Sequence, residues 1–277
     1  MNVQLYMPAK IAEQPLYLQY FEMLKAGITA NEDIHLTDKF PTLIHVFGAW
    51  NAKTAQHLIQ AHRLLIPTVY SPLGELAPWW LHWQYTHMSL SKIYSQKIST
   101  QKANTVVAWG ELEKQAIEQK KWNNQVKVVR NPIISNSITA EECIGKILKI
   151  YQHTIERHDE KIRKQIAERV DRIDKEHTLE HKFCELLLYV RYQYHRKNIS
   201  SDSLKKLSIS LLTVDYDEDL LKNMIFRLHE DKFTSHILQI LSDDYELTEG
   251  FMPMNTLDDK ETKKIKAVIN KNATKYV

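Results

Sequence analysis

Two short segments hold most of the residue types that could do chemistry. The first is Gly48-Ala49-Trp50-Asn51, and the second runs from Ser71 through Gly74 and Glu75 to Trp79. Each contains a glycine, which lets the backbone turn sharply or approach a ligand closely. Each contains a tryptophan, whose flat face stacks on a ring and whose indole N–H donates a hydrogen bond. Ser71 and Asn51 add neutral hydrogen-bonding groups. Glu75 adds a carboxylate that can accept from hydroxyls or act as a base. Gly48, Trp50, Asn51, Ser71, Gly74, Glu75 and Trp79 therefore form the candidate substrate-binding set, and no residue of it declares itself catalytic. A plainer reading stands beside this one. Trp50 and Trp79 would fill space between a sheet and its helices, and Glu75 would be a solvated loop carboxylate. His45 reads as a satisfied core histidine on a strand, facing opposite to Phe47.

The elements that must position these residues follow from apolar spacing. Val3–Tyr6, Leu43–Phe47, Pro67–Tyr70, Thr105–Ala108 and Val126–Val129 are short, largely β-branched runs that predict buried strands. Between them, Gln14–Ala26, Ala52–Leu65, Leu81–Thr100 (one helix or two) and Glu111–Gln119 carry helical spacing. Strands alternating with helices predict an α/β domain with a doubly wound parallel sheet. Ligands bind beyond the carboxyl ends of such strands, where both chemistry-bearing segments fall.

The same segments carry a resemblance. Ile44-His45-Val46-Phe47-Gly48-Ala49-Trp50-Asn51, followed by Ile66-Pro67-Thr68-Val69-Tyr70-Ser71-Pro72-Leu73-Gly74-Glu75-Leu76-Ala77-Pro78-Trp79, resembles the N-terminal, acceptor-side domain of retaining GT-B glycosyltransferases of the glycogen-synthase-like superfamily. Val107-Ala108-Trp109-Gly110-Glu111-Leu112-Glu113-Lys114-Gln115-Ala116-Ile117 and Val128-Val129-Arg130-Asn131-Pro132-Ile133 are similar to later elements of that domain, in the same order. The resemblance covers residues 1–136. It implies a Rossmann-type half that receives a sugar acceptor, with the candidate set contacting the sugar. It also has gaps. Phe47 and Leu73 stand where the family carries histidines, and Met7–Ala12 replaces its glycine-rich loop. The nucleotide-sugar domain that should follow Asn131-Pro132 has no counterpart.

From Ile138 the composition turns to Lys, Glu, Ile, Leu and Arg at three-and-four spacing, so the domains are read as 1–137 (GT-B-like) and 138–277 (all-helical). Thr139 and Glu142 form a helix-start signature. Residues 141–156 are similar to the terminal helix that crosses back onto the first domain in the resembled enzymes. Ile162, Ile166, Val170 and Ile173 make a narrow stripe like a coiled-coil seam, a route to a homodimer or to a partner glycosyltransferase chain.

Composition excludes several classes. The six glycines form neither a dinucleotide nor a P-loop fingerprint. His57 with His62, and His82 with His87, are spaced by five rather than the three or four of helical zinc pairs, so no metal and no cofactor are expected. A net charge of +3 is too mild to predict nucleic-acid binding. No apolar run reaches membrane-spanning length. Peripheral contact with a membrane stays open, and the reading places the chain in the cytoplasm. The function expected is that of a glycosyltransferase-like, sugar-binding or accessory subunit in glycan or surface polysaccharide synthesis, without its own nucleotide-sugar domain. The alternative is a non-catalytic scaffold built on a degenerate glycosyltransferase domain.

Overall fold

A computed structural model describes residues 1–273, and the chain divides into two compact units, 1–158 and 159–277. The first is built as β1 (Asn2–Tyr6), α1 (Ala9–Ala12), α2 (Pro15–Thr29), β2 (His35–Leu36), β3 (Leu43–Phe47), α3 (Ala52–Arg63), β4 (Thr68–Ser71), α4 (Pro78–His87), α5 (Leu90–Lys102), β5 (Thr105–Ala108), α6 (Glu111–Gln119), β6 (Val126–Val128) and the first half of α7 (Ala140–Asp171). Six strands pair in the order β2-β1-β3-β4-β5-β6, all parallel. The order reverses at β1, as in a doubly wound sheet. β2 has only two residues, too short to show as an apolar run.

The pleat sorts the strand side chains into two cores. Leu43, Phe47, Val69 and Val107 face α2 and α7, where they meet Tyr20, Leu24, Ile147 and Tyr151. Ile44, Val46, Tyr70 and Val106 face the other way, toward Leu58 of α3 and Ile117 of α6. All five residues of β3 are buried, which is why that run is apolar apart from His45 rather than alternating.

α7 begins with a reciprocal capping box. Thr139 Oγ1 accepts from the Glu142 N–H, and a Glu142 carboxylate oxygen accepts from the Thr139 N–H, both at 3.1 Å. Cys143, Ile147 and Tyr151 then pack into the sheet core. Composition changes near residue 138, but the helix that starts there still belongs to the sheet for five turns, so the compact division falls at 158/159.

Gly27 of α2 admits Ile144 of α7. A Cβ on Gly27 would sit 2.8 Å from Ile144 Cγ1. Gly27→Ala gains about 1 kcal/mol of helix propensity but overpacks this contact at about 1–3 kcal/mol. The expected result is a protein less stable by about 1 kcal/mol, read from urea unfolding. A more stable variant would show that α7 gives way freely.

The second unit contains residues 159–171 of α7, α8 (Leu179–His195), α9 (Ser201–Thr213), α10 (Glu218–Arg227), α11 (Asp231–Asp244), a single 3-10 turn (Glu249–Phe251) and α12 (Lys260–Ala273). Among the described residues it has no strand. Its core includes Val170, Phe183, Leu187, Leu207, Ile225, Ile237 and Leu241. Val170 lies in that core and Ile166 and Ile173 pack against it. The stripe read as a coiled-coil seam is thus largely covered by its own unit, because a narrow apolar stripe suits an intramolecular helix contact equally well. Among the described residues no helix is long and apolar enough to cross a membrane.

Candidate functional site

β3, β4 and β5 end at Phe47, Ser71 and Ala108, and their loops meet at one edge of the sheet. Gly48 turns with φ +88°, and its N–H donates to the Ser71 carbonyl at 2.8 Å. A Cβ there would come within 2.7 Å of Ile11, so the turn needs glycine twice over. Trp50 follows with φ +55°, an unusual setting for a bulky residue. Two hydrogen bonds hold it there, and a third fixes the first acceptor. Its backbone N–H donates to Gln96 Oε1 at 2.7 Å, its indole N–H donates to the Glu75 carbonyl at 3.1 Å, and Gln96 is itself fixed by donating to the Tyr70 hydroxyl at 2.9 Å.

Two carboxyls organise the edge. Glu75 accepts from the Ala49 N–H at 3.1 Å and from the Tyr17 hydroxyl at 3.4 Å. Burial pushes its pKa up to about 7, against the opposing pull of those two donors. Glu113, in the first turn of α6, is fully buried and accepts from the Leu76 N–H at 3.1 Å and the Trp109 N–H at 2.8 Å. Burial pushes it to about 7 as well. Glu75 is therefore a loop-to-loop tie rather than a solvated carboxylate. Both groups can exchange a proton near neutral pH, which is where a general acid or base works best. The Trp109 ring stands edge-on to Tyr17 and Tyr20, at 5.8 and 5.2 Å between ring centres, and closes over Gly74.

His45 and Phe47 lie two apart on β3, so the strand pleat puts them on one face and their rings stack at 4.0 Å. The expectation of opposite faces is corrected: it misapplied the period of two. His45 is fully buried, with Nδ1 2.6 Å from the Tyr151 hydroxyl and Nε2 2.8 Å from the Ser71 hydroxyl. Burial lowers its pKa to about 3, so the ring is neutral. Ser71 consequently spends its hydroxyl inside the core. Phe47 and Leu73, which replace the histidines of the resembled family, are both fully buried in the α2–α7 core.

The edge thus gathers Gly48, Trp50, Gly74 and Glu75, with Ser71 just beneath. Asn51 caps α3, its side chain accepting from the Lys53 N–H at 2.9 Å. Trp79 is 60% exposed in the first turn of α4 and fills no sheet-to-helix gap. Trp80, Trp83 and Tyr85 on α4 and Tyr94 on α5 are exposed as well. Residues 76–110 contain no Asp or Glu, while Lys92, Lys97 and Lys102 lie on α5. Glu113 and Tyr17 were not singled out from sequence. A carboxylate three residues after the Gly110 cap was the available signal for Glu113; Tyr17 offered none.

Comparison with known proteins finds no relative: no family model, no curated protein and no solved structure matches the chain.

Proposed function

We propose that this chain is a glycosyltransferase-like accessory protein that receives a sugar or glycan at the carboxyl edge of its sheet and leaves nucleotide-sugar chemistry to a partner chain. The observation that carries the reading is a pairing within one chain. A single parallel sheet gathers Trp50, Gly74 and Glu75 at its ligand-binding edge, and the described residues of 159–277 contain helices without a second sheet. The segments that resemble the acceptor-side domain of retaining GT-B enzymes are the same ones that meet at that edge. Trp50 offers an aromatic face there, and Glu75 a carboxyl for sugar hydroxyls. The exposed aromatics of α4 and α5, helices without Asp or Glu, support a peripheral contact with an anionic bilayer, where indole rings settle at headgroup level. A cytoplasmic site of action is part of the same proposal.

Catalysis by this enzyme class stabilises a departing nucleotide phosphate with preorganised donors, and losing one donor costs on the order of 3 kcal/mol. A chain without the donor domain is expected to release no nucleotide from a panel of nucleotide-sugars above the no-enzyme blank. Clear turnover by the lone chain would overturn the accessory reading. A glycan panel titrated against the parent, Trp50→Ala and Glu75→Gln separates sugar binding from the scaffold alternative. Binding that weakens in both variants supports the site. A parent that binds no glycan favours the scaffold.

A further inference from the structure

We propose that Asp171, His177 and His181, joined by Glu185, form a site for a divalent transition metal, best suited to zinc, that clasps the end of α7 to the start of α8. Asp171 is the last residue of α7, His177 lies in the connecting loop, and His181 and Glu185 stand one turn apart on α8. One ligand atom from each of Asp171, His177 and His181 falls within a group less than 4.8 Å across. Asp171 Oδ1 is 3.7 Å from His177 Nδ1 and 3.5 Å from His181 Nε2, and Glu185 Oε1 is 3.6 Å from the same Nε2. Four ligands at zinc bond lengths of about 2.0–2.1 Å sit about 3.3–3.4 Å apart at the corners of a tetrahedron. These three spacings need to close by only a few tenths of an ångström, and Glu185, which lies outside the tight group of three, must swing in to complete the tetrahedron.

A second observation is independent of that spacing. Asp171 Oδ1, the atom that lies close to both histidines, is a buried polar atom without a hydrogen-bond partner. His181 is 3% exposed, so its imidazole cannot turn to water for compensation. Ion pairing alone does not account for the cluster. Asp171, Asp174 and Glu185 set three carboxylates around His181. One imidazolium has a single positive charge and two N–H donors. A dication bound at Nε2 neutralises Asp171 and Glu185 together and leaves Nδ1–H to face Asp174.

Asp174 is placed for that role. Its carboxylate is held by the Glu176 N–H, the Thr178 N–H and the Thr178 hydroxyl at 2.9–3.0 Å, and stands 3.4 Å from His181 Nδ1. A carboxylate behind the far nitrogen of a ligand histidine fixes its tautomer and orientation in metal sites. The donor set of two imidazoles and carboxylates, with no thiolate, favours zinc, cobalt or nickel over calcium or magnesium, which prefer all-oxygen shells. The His177 side chain is 67% exposed and that of Glu185 38%, which leaves a path for the ion. His177 and His181 are spaced by four in the sequence, unlike His57 with His62 and His82 with His87, which are spaced by five.

The test is titration calorimetry of the full, chelator-treated chain with zinc chloride, followed by the absorption spectrum of the cobalt form. Expected are one ion per chain, a visible cobalt band, and a zinc-dependent rise in thermal midpoint. His177→Ala, an exposed position that leaves the core intact, should weaken binding at least about tenfold and abolish the rise in midpoint. Glu185→Gln should weaken it less, and His35→Ala, an exposed histidine elsewhere, not at all. Absence of zinc binding by the parent, equal binding by parent and His177→Ala, or equal loss in His35→Ala would each overturn the proposal.

Discussion

Glu113→Ala is expected to destabilise the protein by about 3 kcal/mol, with Glu113→Gln losing about half as much. The carboxyl accepts from the backbone N–H groups of Leu76 and Trp109, and the alanine variant leaves both donors buried without an acceptor. Each orphaned buried donor costs about 1–3 kcal/mol. Glutamine keeps one carbonyl oxygen but turns an NH2 toward the other donor. One effect works against the loss. Burial already penalises the ionised carboxylate, as its pKa near 7 records, so removing it brings relief once the pH is high enough to ionise it. That relief grows from the unfolded value of 4.5 up to about 7, so near pH 4.5 it is small and the orphaned donors dominate. Urea unfolding followed by tryptophan emission reads the change, because all six tryptophans lie between Trp50 and Trp122 in the first unit. An alanine variant as stable as the parent would mean the loops after β4 and β5 do not depend on this tie.

The first unit should also be most stable near pH 5 rather than at neutrality. Glu75 and Glu113 have folded pKa values of about 7 against an ordinary glutamate value of 4.5. Between those values the folded state holds more protons than the unfolded one, so this stabilisation is full below 4.5 and is lost as pH rises through 7. His45 runs the other way. Its folded pKa is about 3 against 6.5, so its share is full above 6.5 and lost as pH falls toward 3. From about pH 4.5 to 6.5 the two carboxyls act against His45 and the smaller downward shift of His57; above that only the carboxyls act. The net loss from pH 5 to pH 8 is on the order of 3 kcal/mol. In the second unit Glu261 shows the opposite sense: Lys264 and Tyr194 hold its carboxyl down at about 2. Tryptophan emission does not sample that unit. A tryptophan-monitored urea midpoint that rises steadily from pH 5 to 8 would show that the two carboxyls are ionised throughout in the folded state.

The strands around the site were legible because burial on both faces leaves little but apolar residues, as in β3. β2 was not, since two residues carry no periodicity. The helix break inside 81–100 was left open, and the chain extends at Met88 and Ser89 between α4 and α5. At the site, the loops could be placed from the strand ends, and the glycines at 48 and 74 both proved to sit at positive φ. What the side chains do there was largely hidden. His45 answers to Tyr151, 106 residues away, and Glu75 to Tyr17, 58 residues away. No local pattern encodes such pairings. Ser71 looked available because sequence shows a hydroxyl without showing that an imidazole already occupies it.

The sheet's two flanks have a consequence for how the protein behaves when crowded. On one side it stops at β2, two residues long, and on the other at β6, three residues long with Lys127 exposed in the middle. A strand that short offers a newcomer too few free backbone groups to lay down a ladder, and a solvated ammonium on the rim makes docking there costlier. The longer strands β1, β3, β4 and β5 sit inside, paired on both sides. Ribbon growth by edge-to-edge addition is closed at both margins, so the folded first unit should not template strands in its neighbours even in concentrated solution.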